Sequence, residues 1–280
     1  MQMNMNLSNG HSIPTPGFGT FKIPDGEVCV NAVRDAIAAG YTHIDTAAVY
    51  GNERSVGEGV RASGKAREEL FITSKVWNTE RGYDTTLRAC EKTLKDLGMD
   101  YLDLYLIHWP ANRLQFGDKA ESINVDTWKA MERLAEEGLV RSIGVSNFYP
   151  QHLAPILAAA HIVPVVDQIE YHPGLMQEDT VALCRQNNIL VEAWSPLGRG
   201  RLLDHTMLVE VAARYGKTPA QVVLRWVMQK NVLPLVKSTH VDRIHENLQI
   251  FDFELSAGDM ARIDAFPKTR FSGHPDEVEF

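Results

Sequence analysis

"LFITSKVWNTERGYDTTLRACEKTLKDLGMDYLDLYLIH", residues 70–108, is the stretch that decides the fold. It opens on an apolar run, LFITSKV (70–76), continues through a polar stretch that stops at Gly98, and closes on a second run, YLDLYLIH (101–108). Gly98 falls where a helix C-cap belongs, since glycine enters left-handed backbone without a steric penalty. Strand, helix and strand with short connections make two parallel strands covered by a helix. The same signals recur on both sides. Strand-like segments lie at GFGT (17–20), HIDTA (43–47), VRSIGVS (140–146), PVVDQIE (164–170), LVEAWS (190–195) and LPLVKS (233–238). Amphipathic patterns such as EVCVNAVRDAIAAG and VDTWKAMERLAEEG lie between them, and Gly40 and Gly138 mark further helix ends. Eight such units predict an α/β fold, a closed (β/α)₈ TIM barrel rather than a doubly wound sheet. Ahead of them, MNLSNGHSI sets Asn-Gly between two short alternating runs and predicts an N-terminal β-hairpin. No linker or low-complexity tract intervenes, so residues 1–280 read as one barrel domain.

Composition works by exclusion. Against 36 acidic residues stand 28 basic ones, a formal charge of −8 with no basic stretch, which argues against a nucleic-acid partner. The longest apolar stretch, LAPILAAAHIVPVV, is broken by two prolines and a histidine and is too short to span a bilayer, so no membrane association is expected. Cys29, Cys90 and Cys184 form no CxxC pair and fit a reducing compartment. The opening MQMNMNLSNGHSIP lacks the charged and apolar regions of a signal peptide. A cytoplasmic location is the expectation, and a monomer, since no self-association stripe is evident. No HExxH occurs, because HENLQ ends in Gln249, and no metal site is expected. Two nucleotide-like patterns also fail on context. GEGVRA (57–62) matches G-x-G-x-x-A but sits inside a helical pattern, and GVRASGK (59–65) is followed by Ala66 where a P-loop needs Ser or Thr.

GYTHIDTAAVYGNE (40–53) carries the chemistry. Asp45 ends an apolar run, and an unpaired buried carboxylate costs several kcal/mol. Strand parity supplies its partner. Phe71, Thr73 and Lys75 share one face of their strand, as do Leu104, Leu106 and His108 of the next. Parallel barrel strands end on one rim, so Asp45, Lys75 and His108 converge there and Tyr50 enters from the loop above. A lysine beside a tyrosine favours phenolate and lowers the tyrosine pKa, a carboxylate holds the lysine, and a histidine orients a carbonyl. That set suits protonating a carbonyl oxygen as hydride reaches its carbon. Each residue alone would more often be a satisfied structural group; four converging residues favour catalysis. A second group, KSTHVDRIHENL (237–248), follows the last strand, with Lys237, Arg243 and a helix start capped by Ser238 or Thr239 reading as an anion site.

GYTHIDTAAVYGNE, LYLIHWP, GVSNF, DQIEYHP, EAWSPLG and KSTHVDRIHENL together resemble the motifs of the aldo-keto reductase superfamily, in order and over essentially the full chain. The segment PLGRGRLLDH resembles the small microbial branch, with its 2,5-diketo-D-gluconate reductases and prostaglandin F synthase-like members. The resemblance implies NADPH-dependent reduction of aldehydes and ketones, NADP(H) extended across the rim, and the tetrad Asp45, Tyr50, Lys75 and His108 with Tyr50 as general acid. It further implies that Ser146, Asn147 and Gln168 hold the nicotinamide carboxamide and that Trp194 stacks on the ring. Ser195 and Leu197 match pyrophosphate contacts. Lys237, Ser238 and Arg243 match a clasp on the 2′-phosphate, with Glu246 and Asn247 near the adenine. Gly19 and Thr20 match a segment beside the cofactor, and Phe21, Trp77 and Trp109 line the substrate side. Val236 and Asp167 depart from the family pattern, which has proline and asparagine there. Two other readings compete: a non-catalytic NADPH-binding module of the same fold, and an aldolase using Lys75 as a Schiff base. Asp45 beside Lys75 argues against the aldolase, since it keeps the amine charged.

Overall fold

The computed structural model describes residues 3–280. β1 (Met3–Asn6) and β2 (Ser12–Thr15) form the antiparallel hairpin, with Met3 opposite Thr15 and Asn6 opposite Ser12. The Leu7 amide donates to the His11 carbonyl at 2.8 Å, and Gly10 turns the chain at φ 89°, a value that glycine adopts freely.

Eight parallel strands then close into a barrel: β3 (Gly17–Gly19), β4 (His43–Asp45), β5 (Phe71–Val76), β6 (Leu104–Ile107), β7 (Ile143–Ser146), β8 (Val166–Glu170), β9 (Leu190–Trp194) and β10 (Leu233–Val236). Closure comes from β10 pairing with β3 through Leu235–Gly17 and Val236–Phe18. Each strand lies inside the segment expected for it. The amphipathic patterns become the helices Glu27–Ala39 and Ala120–Glu136, and Gly40 and Gly98 cap their helices in the left-handed conformation.

Parity divides the core in two. Phe71, Leu104, Leu106, Val166, Leu233 and Leu235 fill the barrel, and Leu7 and Ile13 of the hairpin seal its floor. Ile72, Tyr105, Ile107 and Val145 face outward against helical residues such as Val33, Leu94, Trp128 and Leu153. The G-x-G-x-x-A stretch lies in the helix Glu53–Ala62, and its glycines serve packing: a Cβ on Gly57 would fall 2.0 Å from the Leu97 carbonyl oxygen. Among the described residues, no helix is long and apolar enough to cross a membrane.

Candidate active site

Asp45 ends β4, Lys75 is the penultimate residue of β5, and His108 follows β6 directly. The parallel register carries all three to the C-terminal rim. Lys75 is fully buried, and its Nζ lies 2.7 Å from both carboxylate oxygens of Asp45 and 2.8 Å from the Thr46 carbonyl. Tyr50 closes the short turn Ala48–Tyr50 above them, its ring centroid 5.3 Å from Lys75 Nζ and 5.7 Å from the His108 ring. Buried Asn52 holds that turn in place. Its amide nitrogen donates to the carbonyls of Thr20 and Ile23 at 3.0 Å, and its oxygen accepts from the Thr46 hydroxyl at 3.2 Å.

Burial alone would lower the Lys75 pKa, but the charge of Asp45, the neighbouring Tyr50 and the bond to Asp45 outweigh it, so the group is an ammonium with its pKa raised. Such an amine is a poor Schiff-base nucleophile. Burial and then the Lys75 charge hold His108 well below the usual imidazole range, so its ring is neutral. Its Nδ1 is buried without a hydrogen-bond partner among the described residues. Tyr50 departs from expectation. Burial pushes it up to about 12; the Lys75 charge and hydrogen bond pull down, and Asp45 pushes up again. Parity placed the lysine correctly but could not weigh desolvation against its charge. Tyr50 is therefore a phenol at neutral pH, with a proton to give.

The remaining rim is already bonded to itself. The Ser146 hydroxyl donates to the Gln168 carbonyl at 2.7 Å, and Asn147 Nδ2 reaches both the His108 carbonyl and Ser146 Oγ. Asn147 sits at φ 64°, a left-handed conformation that asparagine tolerates better than most residues. The half-buried Trp194 donates its indole N–H to Asn147 Oδ1 at 2.9 Å, which fixes the plane of its ring. Gln168 gives its amide N–H₂ to Asp45 Oδ2 at 2.9 Å and Glu192 Oε2 at 2.7 Å, leaving only its carbonyl oxygen for a ligand. Thr20 hydrogen-bonds the Asp45 carbonyl through both its amide and its hydroxyl, and Gly19 pairs with Asp45 across β3 and β4. Ser195 takes φ 52° where β9 turns away, followed by half-buried Leu197. The chain after β9 makes a compact turn, Gly198–Gly200, with Leu202 buried beneath it.

At the end of β10, Lys237 and Arg243 are exposed and have no ion-pair partner among the described residues. Ser238 lies between them and accepts from the His240 amide at 3.0 Å. The helix begins at Val241 with His240 at its cap and no side-chain cap bond, so neither Ser238 nor Thr239 is its N-cap. Two uncommitted cations beside a hydroxyl fit a phosphate dianion. Glu246 accepts from the Thr218 hydroxyl at 2.6 Å, and Asn247 beside it is buried. Val236, in the family's proline position, is an ordinary β10 residue paired with Phe18. Asp167 is fully buried against Cys184, and burial raises its carboxyl well above the usual range.

Residues 17–268 match the model of the Aldo/keto reductase family. The chain belongs to the aldo-keto reductases. It is 50% identical over 277 residues to the glyoxal reductase of Bacillus subtilis, covering 99% of this chain and 97% of that one. It is 46% identical over 283 residues to the 9,11-endoperoxide prostaglandin H2 reductase of Trypanosoma cruzi, with 99% and 97% covered. Among solved structures, a Gox0644 variant in complex with NADPH superposes with a TM-score of 0.92 at 39% identity, covering both chains fully. A Bombyx mori aldo-keto reductase in complex with NADP gives 0.88 at 37%, with 98% and 96% covered.

The mouth of this aldo-keto reductase is aromatic. Exposed Phe21 lies 5.0 Å from the Tyr50 ring, and Trp77 lies 5.1 Å from His108. Phe280 stacks on Trp77 at 5.6 Å and meets Trp109 edge-on at 5.2 Å, so the C-terminal segment narrows the opening. Asn112 Nδ2 anchors that segment through the carbonyls of Pro275 and Val278 at 2.9 and 2.8 Å. Sequence reasoning assigned no role to Asn52 or Glu192. Asn52 carries no signal of its own, whereas an acid inside the apolar run LVEAWS is the kind of anomaly that singled out Asp45.

Proposed function

We propose that this chain reduces aldehydes and ketones to alcohols with NADPH, as an NADP-dependent oxidoreductase acting on CH–OH and carbonyl groups. The observation that carries this reading is the buried Lys75–Asp45 ion pair at 2.7 Å beneath Tyr50, with neutral His108 alongside. The cofactor is NADP(H), which supplies the hydride when bound. Tyr50 gives its proton to the carbonyl oxygen. An alkoxide is much more basic than a phenolate, so the proton moves toward the substrate even from a phenol near 12. Lys75 stabilises the phenolate that remains, Asp45 keeps Lys75 charged and in place, and His108 can donate a hydrogen bond to the carbonyl from an uncharged ring. Trp194, set by its bond to Asn147, offers a flat face to the nicotinamide. Ser146, Asn147 and the Gln168 oxygen meet the carboxamide, Gly19 and Thr20 flank the cofactor, and Ser195 and Leu197 meet the pyrophosphate. Lys237, Ser238 and Arg243 take the 2′-phosphate, with Glu246 and Asn247 at the adenine. Phe21, Trp77 and Trp109 wall the substrate.

The test is turnover. Purified protein with NADPH and a panel of aldehydes, small dicarbonyls, ketones and keto-sugars should give one alcohol per NADPH consumed. Tight NADPH binding without turnover on any carbonyl would overturn the proposal in favour of a non-catalytic module.

Cofactor choice gives a second measurement. Only NADPH carries the extra phosphate, and a charge-assisted contact contributes about 1.5–3 kcal/mol, roughly ten- to a hundredfold in affinity. Arg243→Ala should weaken NADPH binding by that factor in fluorescence titration and leave NADH unchanged. Equal losses for the two cofactors would make Arg243 a structural residue.

A further inference from the structure

Glu192 lies inside the barrel on β9, fully buried and linked to Asp45 through the Gln168 amide. The neighbouring elements present few polar groups to it. β8 contributes Gln168, β4 contributes His43 and Asp45, β5 contributes Thr73 and Lys75, and β10 contributes only Leu233 and Leu235; Tyr50 faces it from the rim. Its Oε2 accepts from Gln168 Nε2 at 2.7 Å, and the second hydrogen of that same amide goes to Asp45 Oδ2 at 2.9 Å. Two carboxyls thus share one amide, and the one cation, Lys75, is bonded to Asp45.

The other oxygen is more telling. Oε1 has no hydrogen-bond partner among the described residues, and His43 Nε2 lies 3.8 Å from it. His43 Nδ1 lies 3.2 Å from the Pro14 carbonyl, which can only accept, so Nδ1 carries the ring proton and Nε2 presents a lone pair. The Thr73 hydroxyl donates to that lone pair at 3.1 Å. An ionised Oε1 would therefore meet no donor among the described residues, and a buried anion without donors is disfavoured against the neutral acid.

We propose that Glu192 is a positioning residue of the catalytic set: as a neutral acid it holds Gln168 in place and leaves Asp45 as the only anion facing Lys75. The charge count gives this a function. With Glu192 neutral, the buried group carries Lys75 and Asp45 in balance, and proton transfer from Tyr50 adds one negative charge. With Glu192 ionised, the same transfer would put two uncompensated negative charges around buried Lys75, and Tyr50 would become a weaker acid. Burial, then repulsion from Asp45, push the Glu192 carboxyl up to about 8, against the bond from Gln168 and the charge of Lys75. The Glu192 charge in turn reaches both Tyr50 and Lys75. Below about 8 the acid is neutral and transfer is unhindered; above it, reduction slows.

This inference rests on Tyr50 as the proton donor, and the experiment keeps the two apart. In wild type, kcat/KM for an aldehyde at saturating NADPH should fall on the order of tenfold as pH rises from about 8 to about 10. Glu192→Gln, the same shape but unable to ionise, should lose that fall and hold level, from about pH 8 to about pH 10, whatever kcat/KM it has. A residue with only a structural role would not move the limb. Superimposable profiles for the two proteins, with Tyr50→Phe inactive, would overturn the role of Glu192 and leave that of Tyr50 standing. Turnover by Tyr50→Phe would remove Tyr50 instead. A readout independent of activity is the infrared carbonyl band of a buried carboxylic acid. Wild type should show at neutral pH a band that Glu192→Gln lacks and that titrates near 8. Were Glu192→Gln not to fold, the band would be followed in Asp167→Asn, which removes another deeply buried acid: absence there of a band titrating near 8 would overturn the proposal.

Discussion

Tyr50→Phe should abolish carbonyl reduction while leaving NADPH bound. The substitution removes one oxygen and keeps the ring that packs on Phe21 and His108. What disappears is the proton donor, used mainly as charge develops on the substrate oxygen, so the loss should appear in kcat rather than in affinity. General acids of this kind contribute about 10²- to 10⁴-fold. Single-turnover decay of NADPH absorbance with an aldehyde should therefore slow by that factor, while the cofactor dissociation constant stays within about twofold of wild type. Near-normal turnover in the variant would remove Tyr50 from the mechanism.

Lys75→Met should lose both activity and stability, for separate reasons. Catalytically, a neutral side chain no longer stabilises the phenolate that Tyr50 becomes. Structurally, the substitution leaves Asp45 buried opposite an apolar group, after its two contacts of 2.7 Å have gone. Breaking a buried ion pair by removing one partner costs about 3–5 kcal/mol, which for a chain of this size lowers Tm on the order of 10 °C. Adding Asp45→Asn removes the orphaned charge. The double variant should thus recover much of the lost Tm and none of the activity. Equal Tm values for the single and double variants would show that Asp45 is not held as an anion by Lys75.

Local pattern was enough for the framework. Period-two runs ending in Lys75 and His108, glycines at 40 and 98, and Asn-Gly in the hairpin are short-range signals, and each maps onto the matching element. Parallel strands share a polarity, so a polar residue at a strand end and of the right parity must reach the rim. That rule alone brings Asp45, Lys75 and His108 together. It carries no distances and no desolvation, which is why the net direction of the Tyr50 shift went the other way.

The sequence by itself determined the barrel, its N-terminal hairpin and the set of polar strand ends, because strand periodicity, helix caps and chain direction are written within a few residues of each position. Only the tertiary structure decided what those ends touch. Asp45 meets Gln168 across the barrel interior, a contact between strands far apart in the chain, and Gln168 links it to Glu192 on the neighbouring strand. Phe280 lies between Trp77 and Trp109, and Asn52 ties the Tyr50 turn to the residues after β3. These contacts depend on how the strands stagger when the sheet closes and on how the last residues cross the rim. No run of neighbouring residues encodes that stagger; it is fixed when all eight strands pack at once around a shared interior.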